Sequence, residues 1–249
     1  MINVKNIRDM LGEKLKNQSF TSVDRESTMM QLTGGSTIEL IGESFIVDEY
    51  TLFGETNWDY VHREEEWYDS QSLNVNDIPG GAPEIWKAVA DKDGFINSNY
   101  GYLVYSDKNE GQYERVIDEL QQNPASRRAI IIYTRPSIWR EFNENGRSDF
   151  ICTNTVQYLI RNNKLHAIVN MRSNDAIFGF RNDVQWNVTV QIRMAARLGI
   201  PTGSIIWQTG SLHVYARHFY LVDHFNKTGE LTITKAKYNE LYPDSPYKG

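Results

Sequence analysis

The chain has 249 residues, 40% of them hydrophobic and 23% charged, a mix that excludes the disordered and low-complexity classes. Folding can bury about three quarters of the unfolded surface without staples. Its single cysteine excludes an internal disulfide and suits a reducing cytoplasm. A net charge of -6 argues against wrapping a nucleic acid polymer but leaves room for a local cation cluster around a small anion. No apolar run approaches the ~20 residues of a membrane span, and the first residues lack the apolar core of a signal peptide.

In chain order, the first predicted helix covers Val4 to Asn17, with Ile7, Met10, Leu11 and Leu15 on one face. A strand from Thr37 to Val47 follows the Gly34-Gly35 turn, and a second helix runs from Trp58 to Ser70. The third spans Gln112 to Gln122, with Val116, Ile117 and Leu120 inward, and Asn123-Pro124 ends it. Ala129 to Tyr133 is β-branched and reads as a buried strand. Val156, Tyr158 and Ile160 alternate up to Asn162-Asn163, and Leu165 to Val169 continues beyond, which is a hairpin. A long helix from Asp183 to Leu198 puts Val184, Val188, Ile192, Ala195 and Leu198 on one face before Gly199-Ile200-Pro201 stops it. Ser204 to Trp207 is another strand and His218 to Asn226 the last clear helix. There is no repeat and no long linker, so a single domain over residues 1–249 is expected. Strands and helices do not alternate strictly, which makes the fold α+β.

Several residue groups could carry chemistry. Cys152 is either an inert buried thiol or a nucleophile, and the second reading requires cations that folding must bring to it. Arg127-Arg128 and Arg172-Ser173 are either surface charges or phosphate clamps, since a guanidinium matches phosphate oxygens with its planar fork. His213 and Tyr215, two apart, share a face if their stretch is extended, and together could hold a sugar hydroxyl. Glu64-Glu65-Glu66-Trp67 is either a solvated helix face or a carboxylate beside aromatics with acid–base character. His218 and His224 lack the four-residue spacing of a helical zinc pair, so no metal is expected.

In chain order, Glu64-Glu65-Glu66-Trp67, Asn99-Tyr100-Gly101, Ser126-Arg127-Arg128, Cys152, Arg172-Ser173-Asn174-Asp175, Phe178-Gly179-Phe180-Arg181-Asn182-Asp183 and His213-Val214-Tyr215 resemble the thymidylate synthase family. They resemble most its phage-type branch acting on deoxycytidylate. The resemblance implies an α+β, thymidylate-synthase-like fold whose mixed β-sheet forms a homodimer interface, with helices around it. It implies that Cys152 attacks C6 of a pyrimidine nucleotide, with Glu64, Tyr100, Asn154 and Asp183 as its catalytic companions. Arg172 and Ser173 would hold the 5′-phosphate together with Arg127 and Arg128 of the other subunit, and Arg25 would add a cation from the N-terminal loop. His213 and Tyr215 would bind the sugar 3′-hydroxyl. Asp175, Trp86 and Gly179 would meet the co-substrate, 5,10-methylenetetrahydrofolate.

Two departures from the synthases bear on the substrate. The base-reading asparagine of the synthases is replaced, counting from Gly179, by Asp183. An ionised aspartate only accepts hydrogen bonds, which suits the 4-amino group of cytosine and not O4 of uracil. A buried carboxylate left unmatched costs about 1–3 kcal/mol, enough for ~10-fold selection or more. The histidine that follows the nucleophile in the synthases is Thr153 here. The resemblance, with which these departures agree, implies hydroxymethylation of dCMP. A synthase acting on dUMP, a CMP hydroxymethylase and a non-catalytic nucleotide- or RNA-binding relative are the alternatives.

Overall fold

The computed structural model describes residues 1–22 and 35–248. In chain order the elements are α1 (Val4–Lys16), β1 (Phe20–Ser22), β2 (Ser36–Ile46), α2 (Trp58–Ser70), α3 (Glu84–Val89), α4 (Tyr100–Tyr105), α5 (Gln112–Gln122), β3 (Ile130–Ile132), α6 (Ile138–Glu141), β4 (Thr153–Arg161), β5 (Lys164–Asp175), α7 (Phe178–Leu198), β6 (Thr202–Tyr215), α8 (Phe219–Thr228) and α9 (Lys235–Leu241). One sheet runs in the order β1-β2-β6-β5-β4-β3, with helices around it, so the fold is α+β as expected. The chain forms two compact units. The first comprises Met1–Thr56, Ser173–Val184 and Thr209–Gly249; the second comprises Asn57–Arg172 and Gln185–Gln208.

In the first unit, α1 packs on α8 and β2. The Asn3 side chain caps its start by accepting from the Asn6 amide, and Asn6 returns the bond. Ile7, Leu11 and Leu15 are buried as the periodicity required, Val4 joins them, and Met10 of the expected face is only half-buried. Arg8, which hydropathy would place outside, is buried with them. Its guanidinium is satisfied by both carboxylate oxygens of Glu49 and by the carbonyls of Thr51 and Leu52.

In the second unit, Trp67, Tyr68, Tyr100, Tyr133, Tyr158 and Trp186 make an aromatic core. The Asn99-Tyr100-Gly101 segment docks α4 onto the end of α2. Asn99 is fully buried; its amide donates to the carbonyls of Trp67 and Ser72 while its oxygen caps the Tyr102 amide. A Cβ at Gly101 would lie 1.8 Å from the Tyr68 carbonyl oxygen, a backbone atom that cannot step aside. Gly101→Ala should therefore cost ~3 kcal/mol or more, read as a lowered urea midpoint. An unchanged midpoint would disprove this close approach.

The β4–β5 hairpin turns through Asn162 and Asn163, both at positive φ (51° and 56°), the type I′ geometry that asparagine tolerates. Its register sorts the sheet faces. Ile131, Val156 and Val169 form a buried cross-strand row, whereas Ile130, Gln157 and Ile168 form a row on the opposite, open face. Two expectations are corrected here. Ala129–Tyr133 is not a strand buried on both faces: β3 is the sheet edge, with Ile130 36% and Ile132 50% exposed. The Gln112 side chain covers that edge, exchanging two hydrogen bonds with the Ile132 backbone. The helix expected from Asp183 begins at Phe178, and its buried side is rotated from the expected one: Val184 and Ala195 are buried together with Phe180, Trp186, Val190 and Met194, while Val188 and Leu198 are half-buried. Ile192 is 53% exposed, while Gln185, Asn187 and Gln191 are buried. Gln191 is satisfied by the Leu165 carbonyl, a partner that sequence periodicity cannot display.

Candidate active site

Cys152 stands one residue before β4, half-buried. Its carbonyl accepts from the Arg172 amide at 2.9 Å, which ties it to β5. The Arg172 guanidinium crosses back over it. Nε donates to the Ile151 carbonyl at 2.9 Å, Nη2 donates to the Phe150 carbonyl, and Nη2 also lies 3.6 Å from Cys152 Sγ. The guanidinium carbon sits 4.7 Å from the Phe150 ring centre. Folding thus brings Cys152 a cation from 20 residues away, the environment a thiolate needs. Beside it, Thr153 is fully buried and its hydroxyl bonds Tyr100 OH at 3.0 Å. The pairing register slips between Thr153 and Thr155, so Asn154 is the extra residue of a bulge, and its amide donates to Asn170 Oδ1 at 2.8 Å.

Among the three consecutive glutamates, burial singles out Glu64. Glu66 is exposed and Glu65 accepts from Thr189 at 2.6 Å, whereas Glu64 is buried at the 6% level. Tyr60 OH donates to Glu64 Oε1 at 2.6 Å, and Trp86 Nε1 reaches both, at 2.9 Å from Tyr60 OH and 3.4 Å from Oε1. Burial pushes the Glu64 carboxyl up to about 7, against the lowering effect of the Tyr60 and Trp86 hydrogen bonds. A carboxyl that titrates near neutrality can give and take protons at working pH. The sign for stability follows. The folded chain holds this proton more tightly than the unfolded chain, so stability is lost as pH rises from about 4.5 to about 7. Glu64→Gln should remove that slope, worth ~3 kcal/mol between the two limits, in urea unfolding at pH 5 and pH 8. Equal slopes in the two proteins would show that Glu64 is not held protonated.

Arg127 and Arg128 precede β3 and are both exposed. Arg128 pairs with Glu119 at 2.9 Å. Extending the β3–β4 register, in which Ile130 faces Gln157, sets Arg127 opposite Ile160. That is eight residues along β4 from Cys152. At strand rise the separation is ~26 Å, so the pair does not converge on the Cys152 of its own chain.

In the first unit, His213 and Tyr215 lie on β6, and their rings meet edge to face with centroids 4.8 Å apart. His213 is buried, its Nδ1 is 3.2 Å from Ser211 Oγ, and Ser211 in turn donates to Glu39. The His213 carbonyl accepts from the Ala176 amide, joining β6 to the start of the α7 region. There, just before α7, Asp175 forms an Asx turn by accepting from the Ile177 amide at 2.9 Å. Asp183 lies inside α7 rather than at its start, and Asn174 Nδ2 donates to its Oδ2 at 2.8 Å. A Cβ at Gly179 would come within 3.2 Å of Asn174 Nδ2, so only glycine fits against this pair without displacement. Arg25 lies outside the described residues. Among the described residues no group of three His, Cys, Asp or Glu is arranged to hold a metal, and no helix is long and apolar enough to cross a membrane.

Sequence reasoning missed three of these partners: Tyr60 on Glu64, Arg172 on Cys152 and Asn174 on Asp183. Tyr60 and Glu64 are four apart on α2 and so share a face, a signal that was present. The other two pairs join different elements and left no local pattern.

Comparison with known proteins identifies the family. The thymidylate synthase family model matches residues 24–240. The chain is 54% identical over 244 residues to the deoxycytidylate 5-hydroxymethyltransferase of Enterobacteria phage T6, covering 95% of this chain and 96% of that protein. It is 52% identical over 248 residues to the enzyme of the same name from Enterobacteria phage T4, covering 97% and 98%. Among solved structures it is similar to the thermostable thymidylate synthase A of Bacillus subtilis, with a TM-score of 0.61 and 25% identity over 77% of this chain and 72% of that one. With a matching family model across most of its length and the same fold, the chain belongs to the thymidylate synthase family.

Proposed function

We propose that the chain is a deoxycytidylate 5-hydroxymethyltransferase, working as one catalytic domain in a homodimer. The observation that carries this reading is its identity, above half over nearly its full length, to phage enzymes of that name. Asp183 in place of the synthases' asparagine supports it, because a carboxylate accepts from the cytosine 4-amino group.

Cys152 Sγ, as thiolate beside Arg172, adds to C6 of the base, and the displaced ring electrons make C5 a nucleophile. The co-substrate 5,10-methylenetetrahydrofolate supplies the one-carbon unit that C5 takes. Asp175 and Trp86 fit such a partner. Asp175 is a half-buried acceptor held at the α7 N-terminus, and Trp86 a half-buried indole fixed through its nitrogen, with Gly179 leaving room beside Asp175. Tyr100 and Asn154 assist loss of the C5 proton. With departure of tetrahydrofolate an exocyclic methylene is left at C5. Glu64, titrating near neutrality, manages the proton of the water that adds to it, and Cys152 Sγ then leaves C6 as the ring double bond re-forms. Arg172 keeps its Nη1 edge for the 5′-phosphate, with Ser173 beside it. His213 and Tyr215 take the sugar 3′-hydroxyl.

Arg127 and Arg128 complete the phosphate site of the partner subunit, and Arg25 adds a further cation. Two points support the dimer: the ~26 Å strand separation from the chain's own Cys152, and the open sheet face carrying Ile130, Ile132, Leu159 and Ile168. A twofold contact would cover that face. No nucleic acid polymer or membrane is required, and the phage relatives point to the cytoplasm of an infected host.

The test is direct. Incubated with methylenetetrahydrofolate and dCMP, dUMP or CMP in turn, the protein should convert dCMP to a product heavier by one CH2O and release tetrahydrofolate. A methylated product from dUMP with dihydrofolate would overturn the reading in favour of a synthase. Turnover of CMP in preference to dCMP would reassign the sugar.

A further inference from the structure

Asn174 takes no part in the steps above, yet it is one of the most enclosed polar residues of its unit. It lies next to the end of β5, 2% exposed, and donates from Nδ2 to Asp183 Oδ2 at 2.8 Å. On the Gly179 side the pair is closely approached: a Cβ there would lie 3.2 Å from Asn174 Nδ2 and 3.6 Å from Asp183 Oδ2. A buried amide in such a place is held there for its hydrogen bond.

We propose that Asn174 is a positioning residue that sets the cytosine-over-uracil choice by keeping Asp183 an oriented, acceptor-only carboxylate. This rests on Asp183 reading the base. An aspartate carries an ambiguity that asparagine lacks. As a carboxylate it accepts twice and suits cytosine. As a carboxylic acid it has one O–H donor and one carbonyl acceptor, the same pattern as an amide, and suits uracil O4 and N3–H. An N–H aimed at one carboxylate oxygen favours the charged form and fixes the side-chain rotation, so the remaining acceptor positions point one way. Asn174 therefore suppresses the uracil-reading form of the same residue.

Two substitutions at Asn174 move the specificity in distinguishable ways. Asn174→Asp places two carboxyl groups at hydrogen-bond distance, where they share a proton. Asp183 then gains a donor, so kcat/KM for dUMP rises in absolute terms while that for dCMP falls, and the dCMP:dUMP ratio drops ~10-fold or more. Asn174→Ala removes the donor without supplying a proton: kcat/KM for dCMP falls ~10-fold and dUMP gains nothing. A purely structural role would lower both substrates together in both variants. The assay is tritium release from C5-labelled dCMP and dUMP, with thermal melts to establish that each variant is folded.

Asp183→Asn and the double variant Asp183→Asn/Asn174→Ala complete the cycle. If Asn174 acts through Asp183, the second substitution leaves the ratio of the first unchanged. A folded Asn174→Asp and a folded Asn174→Ala that both keep the wild-type ratio overturn this inference, even if Asp183→Asn collapses it. An unchanged ratio in Asp183→Asn instead overturns the base-reading role itself. Should one Asn174 variant fail to fold, the other decides: Ala by a dCMP-specific loss, Asp by the gain on dUMP.

Discussion

Cys152→Ala should abolish turnover, by ~10,000-fold or more, and abolish exchange of the C5 proton with it, while dCMP still binds. Both reactions require a sulfur adduct at C6, since without it C5 has no carbanion character and its proton is not labile. On the proposed reading, binding relies on other groups, namely the phosphate and sugar contacts and Asp183. Tritium release and equilibrium binding with the same preparation separate the two properties. Proton exchange near the wild-type rate would sink the covalent mechanism. Loss of binding along with exchange would show instead that the substitution had disturbed Arg172, whose guanidinium lies 3.6 Å from the sulfur and shares the Phe150 and Ile151 carbonyls with that corner.

The second large effect concerns Arg127 and Arg128. The double substitution Arg127→Ala/Arg128→Ala should leave the fold intact, because both side chains are exposed and the pair of Arg128 with Glu119 is a surface one of little worth. It should nonetheless impair turnover severely, by loss of the phosphate contacts of the opposite subunit. Mixed with Cys152→Ala dimers after reversible dissociation, it forms hybrids in which one site carries both defects and the other carries none. An equal random mixture then recovers roughly a quarter of wild-type activity, since half the dimers are hybrids with one good site of two. No recovery, with hybrids demonstrably present, would assign the arginines to their own chain. A need for partner cations at the thiol does not enter this argument, because Arg172 of the same chain already serves Cys152. What supports the shared site is distance along β4 from the chain's own Cys152, together with the open sheet face.

What could be read without the structure was whatever depends on neighbours in the chain. The limits of α2 and α5 were legible because local chemistry marks them: Asn57 caps the first, and Asn123-Pro124 stops the second. The β4–β5 hairpin was legible from Asn162-Asn163, whose side chains tolerate the positive φ that the turn imposes. The ordered motifs from Glu64 to Tyr215 were enough to indicate the family, and the family model covers them. The tertiary structure alone decided the rest. β-Branched content says that Ile130–Ile132 is a strand, but only strand order says that it is an edge with one open face. Hydropathy put Ile192 of α7 inward, yet it is exposed and Gln191 beside it is buried, because burying a polar side chain depends on a partner from another element, here the Leu165 carbonyl. Three adjacent glutamates were equivalent until packing buried Glu64 against Tyr60 and Trp86. Cys152 had no cation near it in sequence until β5 laid Arg172 across it, and Asp183 had no donor until Asn174 was folded back onto α7. Propensities and caps act over a few residues, so the sequence displays them directly. Charge environments and hydrogen-bond partners are set by which distant segments the sheet brings side by side, and only the folded chain specifies that.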